Sequence, residues 1–256
     1  MDYKKIYSEK VISFKEAALK IKSGDQIYMS GNNCAPIHLV SAICKRVKEL
    51  ENVDLYSALL MYPHEFLNLG FKGHINYHTF FLGPIERSMR GFGNVDTSSV
   101  HFSKSGWMVE NVVKPNVALI EATPPDENGN MNFGPTGTGL NEIVIKHADL
   151  VIAQVNKCLP VCMGESNLVN VKDIDFICEK DHLLPQLPSS KVSEVDKKIA
   201  SYILPHIPDG ATIQIGLGGI ANAVGYGLEE KKDLGIHSEM LTDSMVYLAK
   251  KGVINC

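Results

Sequence analysis

The residue types best suited to chemistry lie late in the sequence. A β-rich run, ATIQI, ends in Gly216-Leu217-Gly218-Gly219-Ile220 and then enters helix-forming sequence at Ala221-Asn222-Ala223-Val224. Glycines let a backbone turn sharply and approach a ligand with no Cβ in the way. N–H groups at the start of a helix can then bind a phosphate or an oxyanion. A tight strand-to-helix turn with no ligand is the plain alternative. A dinucleotide site is a sharper rival. Gly216, Gly218 and Ala221 fit GxGxxA, and Glu239 stands close to the distance of a ribose-binding acid. Against it, little sequence follows the fingerprint. Glu239 also follows His237 and Ser238 in a polar turn, whereas a ribose acid closes an apolar strand.

The other reactive types offer less. Cys34, Cys44, Cys158, Cys162, Cys178 and Cys256 form no CxxC pair, and the nine histidines show no HExxH grouping. The cysteines read as reduced thiols of a cytoplasmic protein, and no metal site is expected.

The wider composition narrows the class. The 256 residues are 45% hydrophobic and 21% charged, with a formal net charge of −4. That is ordinary globular composition, long enough for one large domain or two modest ones. No basic block is present, which argues against nucleic acid. The opening MDYKKIYSEK has no apolar stretch of a leader, and no run approaches the ~18 apolar residues of a membrane helix.

Elements that would position the glycine loop follow an alternating plan. A short helix, a Gly24-Asp25 turn and a strand open the chain. A helix over Pro36–Leu50 and a strand over Asp54–Ala58 follow. Strands are expected at Val117–Ile120 and Leu150–Gln154, with a helix at Asn141–His147. The segment ATPPDENGNMNFGPTGTGLNE reads as a long loop, either facing a binding site or making a surface excursion. Pro185, Pro188, Ser189 and Ser190 mark a connector near 183–192. The plan then restarts: helix Glu194–Ile203, a Pro208-Asp209-Gly210 turn, strand Ala211–Ile215 and the glycine loop. This reads as an internal duplication within an α/β fold of mostly parallel sheets.

The segments QIGLGGIANAV and LGIHSEMLTDSMVYLAKKGVI resemble the acetyl-CoA hydrolase/transferase family of class I CoA-transferases. MDYKKIYSEK, PPDENGNMNFG and ILPHIPDGATIQIG carry the resemblance along the chain, and GIHSEM is its most specific part. The resemblance implies two similar open α/β domains, here 1–187 and an incomplete 188–256. It also implies that Glu239 is a covalent nucleophile, and that Gly216, Leu217, Gly218, Gly219 and Ile220 bind CoA and donate to the reacting carbonyl. The implied reaction passes CoA between a short-chain acyl-CoA and a carboxylate such as acetate, butyrate or 4-hydroxybutyrate. CoA is a substrate, and no cofactor is expected. His237 and Ser238 would orient or pack, and Asp243 would cap a helix or hold the loop. Gly31-Asn32-Asn33 and the loop Gly134–Gly139 are candidates for the carboxylate pocket. Family members are longer, so the expected partner is a further copy or a second chain that completes the fold. An acyl-CoA hydrolase and a non-catalytic half of a heteromer are the alternatives.

Overall fold

In the computed structural model the described residues are 2–136, 140–164 and 166–255. The chain divides into two compact units, residues 1–186 and 187–256.

Unit 1 is built on a seven-stranded sheet. Its strands are β1 (Gln26–Met29), β2 (Val53–Ser57), β3 (Ile75–Thr79), β4 (Asp96–Thr97), β5 (Val117–Ala122), β7 (Leu150–Val155) and β9 (Phe176–Glu179). The order is β4-β3-β2-β1-β5-β7-β9, and every pairing is parallel. A separate antiparallel pair joins β6 (Asn130–Asn132) to β8 (Leu168–Asn170). The helices of this unit are α1 (Tyr3–Lys10), α2 (Phe14–Ala18), α3 (Ile37–Cys44), α4 (Pro84–Met89), α5 (Ser105–Met108) and α6 (Asn141–His147).

Alternation along the strands creates two cores. Ile27, Met29, Leu55, Val117, Leu119 and Ile152 face one way, under α2, α3 and Phe66. Tyr28, Ala118, Ile120, Val151 and Ala153 face the other, against Val144 of α6, Met131 and Phe133. Central parallel strands buried on both faces need such near-continuous apolar runs, and VALIEA and LVIAQV supply them.

The helix expected over Pro36–Leu50 is shorter. It ends at Cys44, and a separate 3₁₀ turn covers Val47–Glu49. Arg46 N–H donates to the Ile43 carbonyl, closing a tighter turn, and the Arg46 guanidinium donates to the carbonyls of Ala18, the last residue of α2, and Ile21. Buried Leu50 can then enter the core just before β2.

Unit 2 contains α7 (Glu194–Ile203), β10 (Thr212–Ile213), α8 (Gly219–Gly227), β11 (Gly235–Ile236) and α9 (Asp243–Lys250). β10 and β11 pair in parallel. The strand expected over Ala211–Ile215 is thus shorter. Leu228, Leu234, Leu248 and Val253 form this unit's core.

The two units repeat one backbone plan. In each, the α-helix before the first strand opens on a capping box, Ser13 with Glu16 for α2 and Ser193 with Asp196 for α7. Gly24 and Gly210 are both left-handed, at φ +84° and +73°. Their N–H groups donate to Glu51 and Lys232 carbonyls at 3.0 and 2.9 Å. Asn52 and Asp233 are both left-handed, as are Gly73 and Gly252. Asp54 N–H donates to Asp25 in β1's turn, and Gly235 N–H donates to Ala211, each at 3.0 Å. Left-handed residues are rare enough that matching ones in matching hydrogen-bond positions mark a duplicated unit.

No atom lies within 4 Å of an added Cβ at Gly24 or Gly210, so only backbone conformation opposes a side chain there. Gly24→Ala and Gly210→Ala should each cost about 1–2 kcal/mol in urea unfolding. Trp107 fluorescence should register the first in unit 1. Truncating fully buried Leu119 to Ala should cost more, about 2–5 kcal/mol, in the same fluorescence transition.

Candidate active site

The glycine loop and Glu239 come off the same edge of one small sheet. β10 feeds residues 214–218, and β11 feeds residues 237–242. Because the strands are parallel, both loops leave from the C-terminal edge, where neighbouring strands stand ~4.8 Å apart. His237 N–H continues the ladder to the Ile213 carbonyl at 3.1 Å. The Ser238 hydroxyl then donates to the Ile215 carbonyl at 3.2 Å. Ser238 thereby links the two loops. Glu239 is the next residue, with its side chain exposed.

Each position of GLGGI has its own place. Gly216 and Leu217 form the exposed part of the loop, and Leu217 projects into solvent. Gly218 is the N-cap of α8, at φ +128° and ψ 169°, a conformation almost confined to glycine. α8 starts at Gly219, so Gly219 and Ile220 belong to its first turn, two residues earlier than the expected Ala221 start. No side chain caps α8, which leaves its first N–H groups available to an external acceptor.

The root of α8 is tightly constrained. A Cβ on Gly219 would lie 2.5 Å from the Asp196 carboxylate and 3.0 Å from the Lys191 carbonyl. One on Gly225 would lie 2.4 Å from the Ser244 hydroxyl, so α8 approaches α9 closely. Buried Asn222 donates its amide to the Ser189 hydroxyl and the Ser190 carbonyl, at 3.2 and 2.9 Å. Asn222 was not singled out in the sequence, where it is one polar residue in an apolar helix. Asp243 is the first residue of α9, and Thr242 holds the cap position instead.

Unit 1 holds the counterpart of this arrangement. Asn32, after β1, is left-handed at φ +56°, as Gly218 is after β10. Asn32 N–H donates to the Leu59 carbonyl at 3.1 Å, and a Cβ on Gly31 would lie 2.3 Å from the Ala58 carbonyl. Since Asp54 and Gly235 are equivalent, Ala58 occupies the position of Glu239. The repeated plan therefore carries its carboxylate in unit 2 only. Of the other proposed pocket loop, Gly134–Thr136 form a 3₁₀ turn, while Gly137, Thr138 and Gly139 lie outside the described residues.

Cys44, Cys158, Cys162 and Cys178 are free thiols, Cys34, Cys44 and Cys178 are buried, and Cys256 lies outside the described residues. Burial pushes the Cys44 and Cys178 thiols up to about 12, far from thiolate at neutral pH. Among the described residues, no cluster of His, Cys, Asp and Glu has metal-ligating geometry, and no helix is long and apolar enough to cross a membrane.

Residues 1–188 match the acetyl-CoA hydrolase/transferase N-terminal domain. The chain is 33% identical to 4-hydroxybutyrate coenzyme A transferase of Clostridium kluyveri, covering 100% of this chain and 59% of that protein. The chain belongs to the acetyl-CoA hydrolase/transferase family. It is also 33% identical to the butyryl-CoA:acetate CoA-transferase of Anaerostipes caccae, covering 99% of this chain and 58% of that one. It thus spans less than two thirds of the length of these family members. Among solved structures, RipA from Yersinia pestis shares the fold at a TM-score of 0.91 and 24% identity, over 99% of this chain and 61% of RipA. The 4-hydroxybutyrate CoA-transferase from Porphyromonas gingivalis aligns at a TM-score of 0.77 and 28% identity, over 99% of this chain and 60% of that chain.

The glycines of this family member should differ in tolerance. No atom lies within 4 Å of an added Cβ at Gly216 or Gly218, but only Gly218 has positive φ. Gly218→Ala should cost about 1–3 kcal/mol from backbone strain, whereas Gly216→Ala should stay within about 0.5 kcal/mol. Urea unfolding followed by far-UV circular dichroism separates the two.

Proposed function

We propose that this protein transfers coenzyme A between a short-chain acyl-CoA and a carboxylate, with Glu239 as covalent nucleophile. The observation that carries the proposal is the joint edge. An uncapped glycine-led helix start and an exposed glutamate leave adjacent parallel strands, and Ser238 ties their loops together.

The chemistry follows from those groups. A thioester carbonyl is electrophilic, and a carboxylate positioned beside oriented donors can attack it. Glu239 adds to the acyl-CoA carbonyl, and negative charge moves to the carbonyl oxygen. Backbone N–H groups at Gly218 and Gly219 receive that charge; one such donor is typically worth about 3 kcal/mol. Expulsion of CoA thiolate leaves a mixed anhydride between Glu239 and the acyl group. The thiolate then attacks the Glu239 carbonyl, forming a glutamyl-CoA thioester and releasing the first carboxylate. A second carboxylate reverses these steps and departs as its CoA ester. Glu239 attacks as its carboxylate, so His237 needs no role as a base. The sequence of steps uses no metal or redox cofactor, and binding of the distant nucleotide end of CoA can offset distortion at the thioester.

The names of the two curated relatives concern 4-hydroxybutyrate, butyryl-CoA and acetate, which supports short-chain substrates here. A single methylene is worth only about 1–3 kcal/mol in a pocket, so the choice among them is a fine adjustment. Further polypeptide, from another copy or a second chain, is part of the proposal. Unit 2 carries an open groove of about 500 Å³ lined by Ile236, Leu241, Met245, Val246 and Ile254. In unit 1, Leu55, Phe66 and Ile75 are buried, with Ile85, Met89 and Val95 packed against their core.

Isotope exchange between butyryl-CoA and labelled acetate tests the reading. Glu239→Ala and Glu239→Gln should each lower exchange at least on the order of ten-thousand-fold, as loss of a covalent nucleophile does. Unchanged exchange in either would refute the assignment. Running the assay with and without acetate measures how the glutamyl thioester partitions. CoA release independent of acetate would identify a hydrolase.

A further inference from the structure

Unit 1 buries an ionisable cluster that the proposed reaction does not use. Glu121, near the end of β5, is 0% exposed. Its Oε1 accepts from the Gln154 amide at 3.2 Å, the Asn156 amide at 3.1 Å and the His182 ring at 2.6 Å. His182 follows β9, where the chain leaves the sheet for the connector. Asn156 completes the attachment: its amide donates to the His182 carbonyl, and its oxygen accepts the His182 N–H. Lys157 N–H is held by the Asp181 carboxylate at 2.8 Å.

The His182 ring is engaged on both nitrogens. Nε2 faces the Glu121 carboxylate, and Nδ1 faces the Leu183 carbonyl at 3.2 Å. A carbonyl can only accept, so Nδ1 must carry a proton to bond it. Glu121 Oε1 accepts from two amides as well, so it serves as an acceptor and Nε2 must carry a proton too. The arrangement therefore fits an imidazolium beside a carboxylate. Loss of one proton leaves either tautomer with a lone pair against an acceptor, and one bond is forfeited. We propose that Glu121 and His182 form a protonation-dependent latch that holds residues 181–183 to the sheet and slackens when the pair loses a proton.

The surroundings isolate this titration. The His38 ring of α3 lies 5.3 Å from the His182 ring, and Tyr62 lies 6.2 Å away. Burial depresses His38, which keeps it neutral, and burial raises the Tyr62 phenol out of the neutral range. Cys34 faces Tyr62, while Lys180 and Asp181 flank on the same segment. His182 itself is raised, first by its hydrogen bond to Glu121. A raised histidine stabilises the latched state fully below its unfolded value of about 6.5, and that contribution is lost as pH rises through the elevated value.

Hydrogen exchange on the whole chain, corrected for intrinsic rates, tests the latch across about pH 6 to pH 9. Protection of the His182 and Lys157 amides should fall by up to about tenfold per pH unit between the unfolded and elevated histidine values. Amides in the centre of β5 should show no such slope. Glu121→Gln should abolish the slope and speed exchange at all pH values. Should Glu121→Gln fail to fold, His182→Gln changes a less buried partner and should give the same loss. A flat profile in the unaltered protein, or a slope that persists in a folded variant, would overturn the proposal.

Discussion

The parallel pairing of Thr212–Ile213 with Gly235–Ile236 is the constraint on which the candidate site depends. It is a short ladder, yet it sends two loops out on one side in fixed register. Were the strands antiparallel, the glycine loop and Glu239 would leave from opposite ends. The ladder extends beyond the strands through His237 to Ile213 and Ser238 to Ile215. Glu239 is thus placed by backbone geometry, not by contacts of its own side chain. A residue on such a support keeps its side chain free to reach a ligand.

The duplication explains why these features occur where they do. Unit 1 also ties its first two loops together, there through the N–H of left-handed Asn32 to the Leu59 carbonyl. There Ala58 stands at the carboxylate position and Asn32 at the glycine position. The shared plan is therefore a scaffold for two loops at one edge. The two units differ there in a few residues: glutamate at 239 for alanine at 58, and glycine at 218 for asparagine at 32.

Much of this was legible in the sequence, for physical reasons. Helices Asn141–His147 and Glu194–Ile203 have the observed bounds because apolar spacing and, in the second, a Ser-Asp capping box mark them. β5 and β7 announce themselves through the apolar runs VALI and LVIA. The end of α3 was hidden because Arg46 terminates it by reaching the distant carbonyls of Ala18 and Ile21. The GIHSEM motif drew attention to Glu239, but the tie from Ser238 to Ile215 depends on a strand register that no local pattern reveals. The contacts of Asn222, Glu121 and His182 are hidden in the sequence for the same reason. Asn222 meets Ser190 across 32 positions, Glu121 meets His182 across 61 and His182 meets Asn156 across 26, and a polar residue in a sequence does not declare whether it is buried.

The central claim is that Glu239 forms a covalent bond to CoA during turnover. It is tested most directly by incubating the intact protein, with any second polypeptide that co-purifies, with butyryl-CoA. The product is then reduced with borohydride and its peptides are sequenced by mass spectrometry. The account predicts that the peptide containing Glu239 carries the corresponding alcohol at that residue alone, dependent on acyl-CoA and absent from Glu239→Gln. Exchange that proceeds at full rate while Glu239 remains unmodified, or modification at another carboxylate, would contradict it.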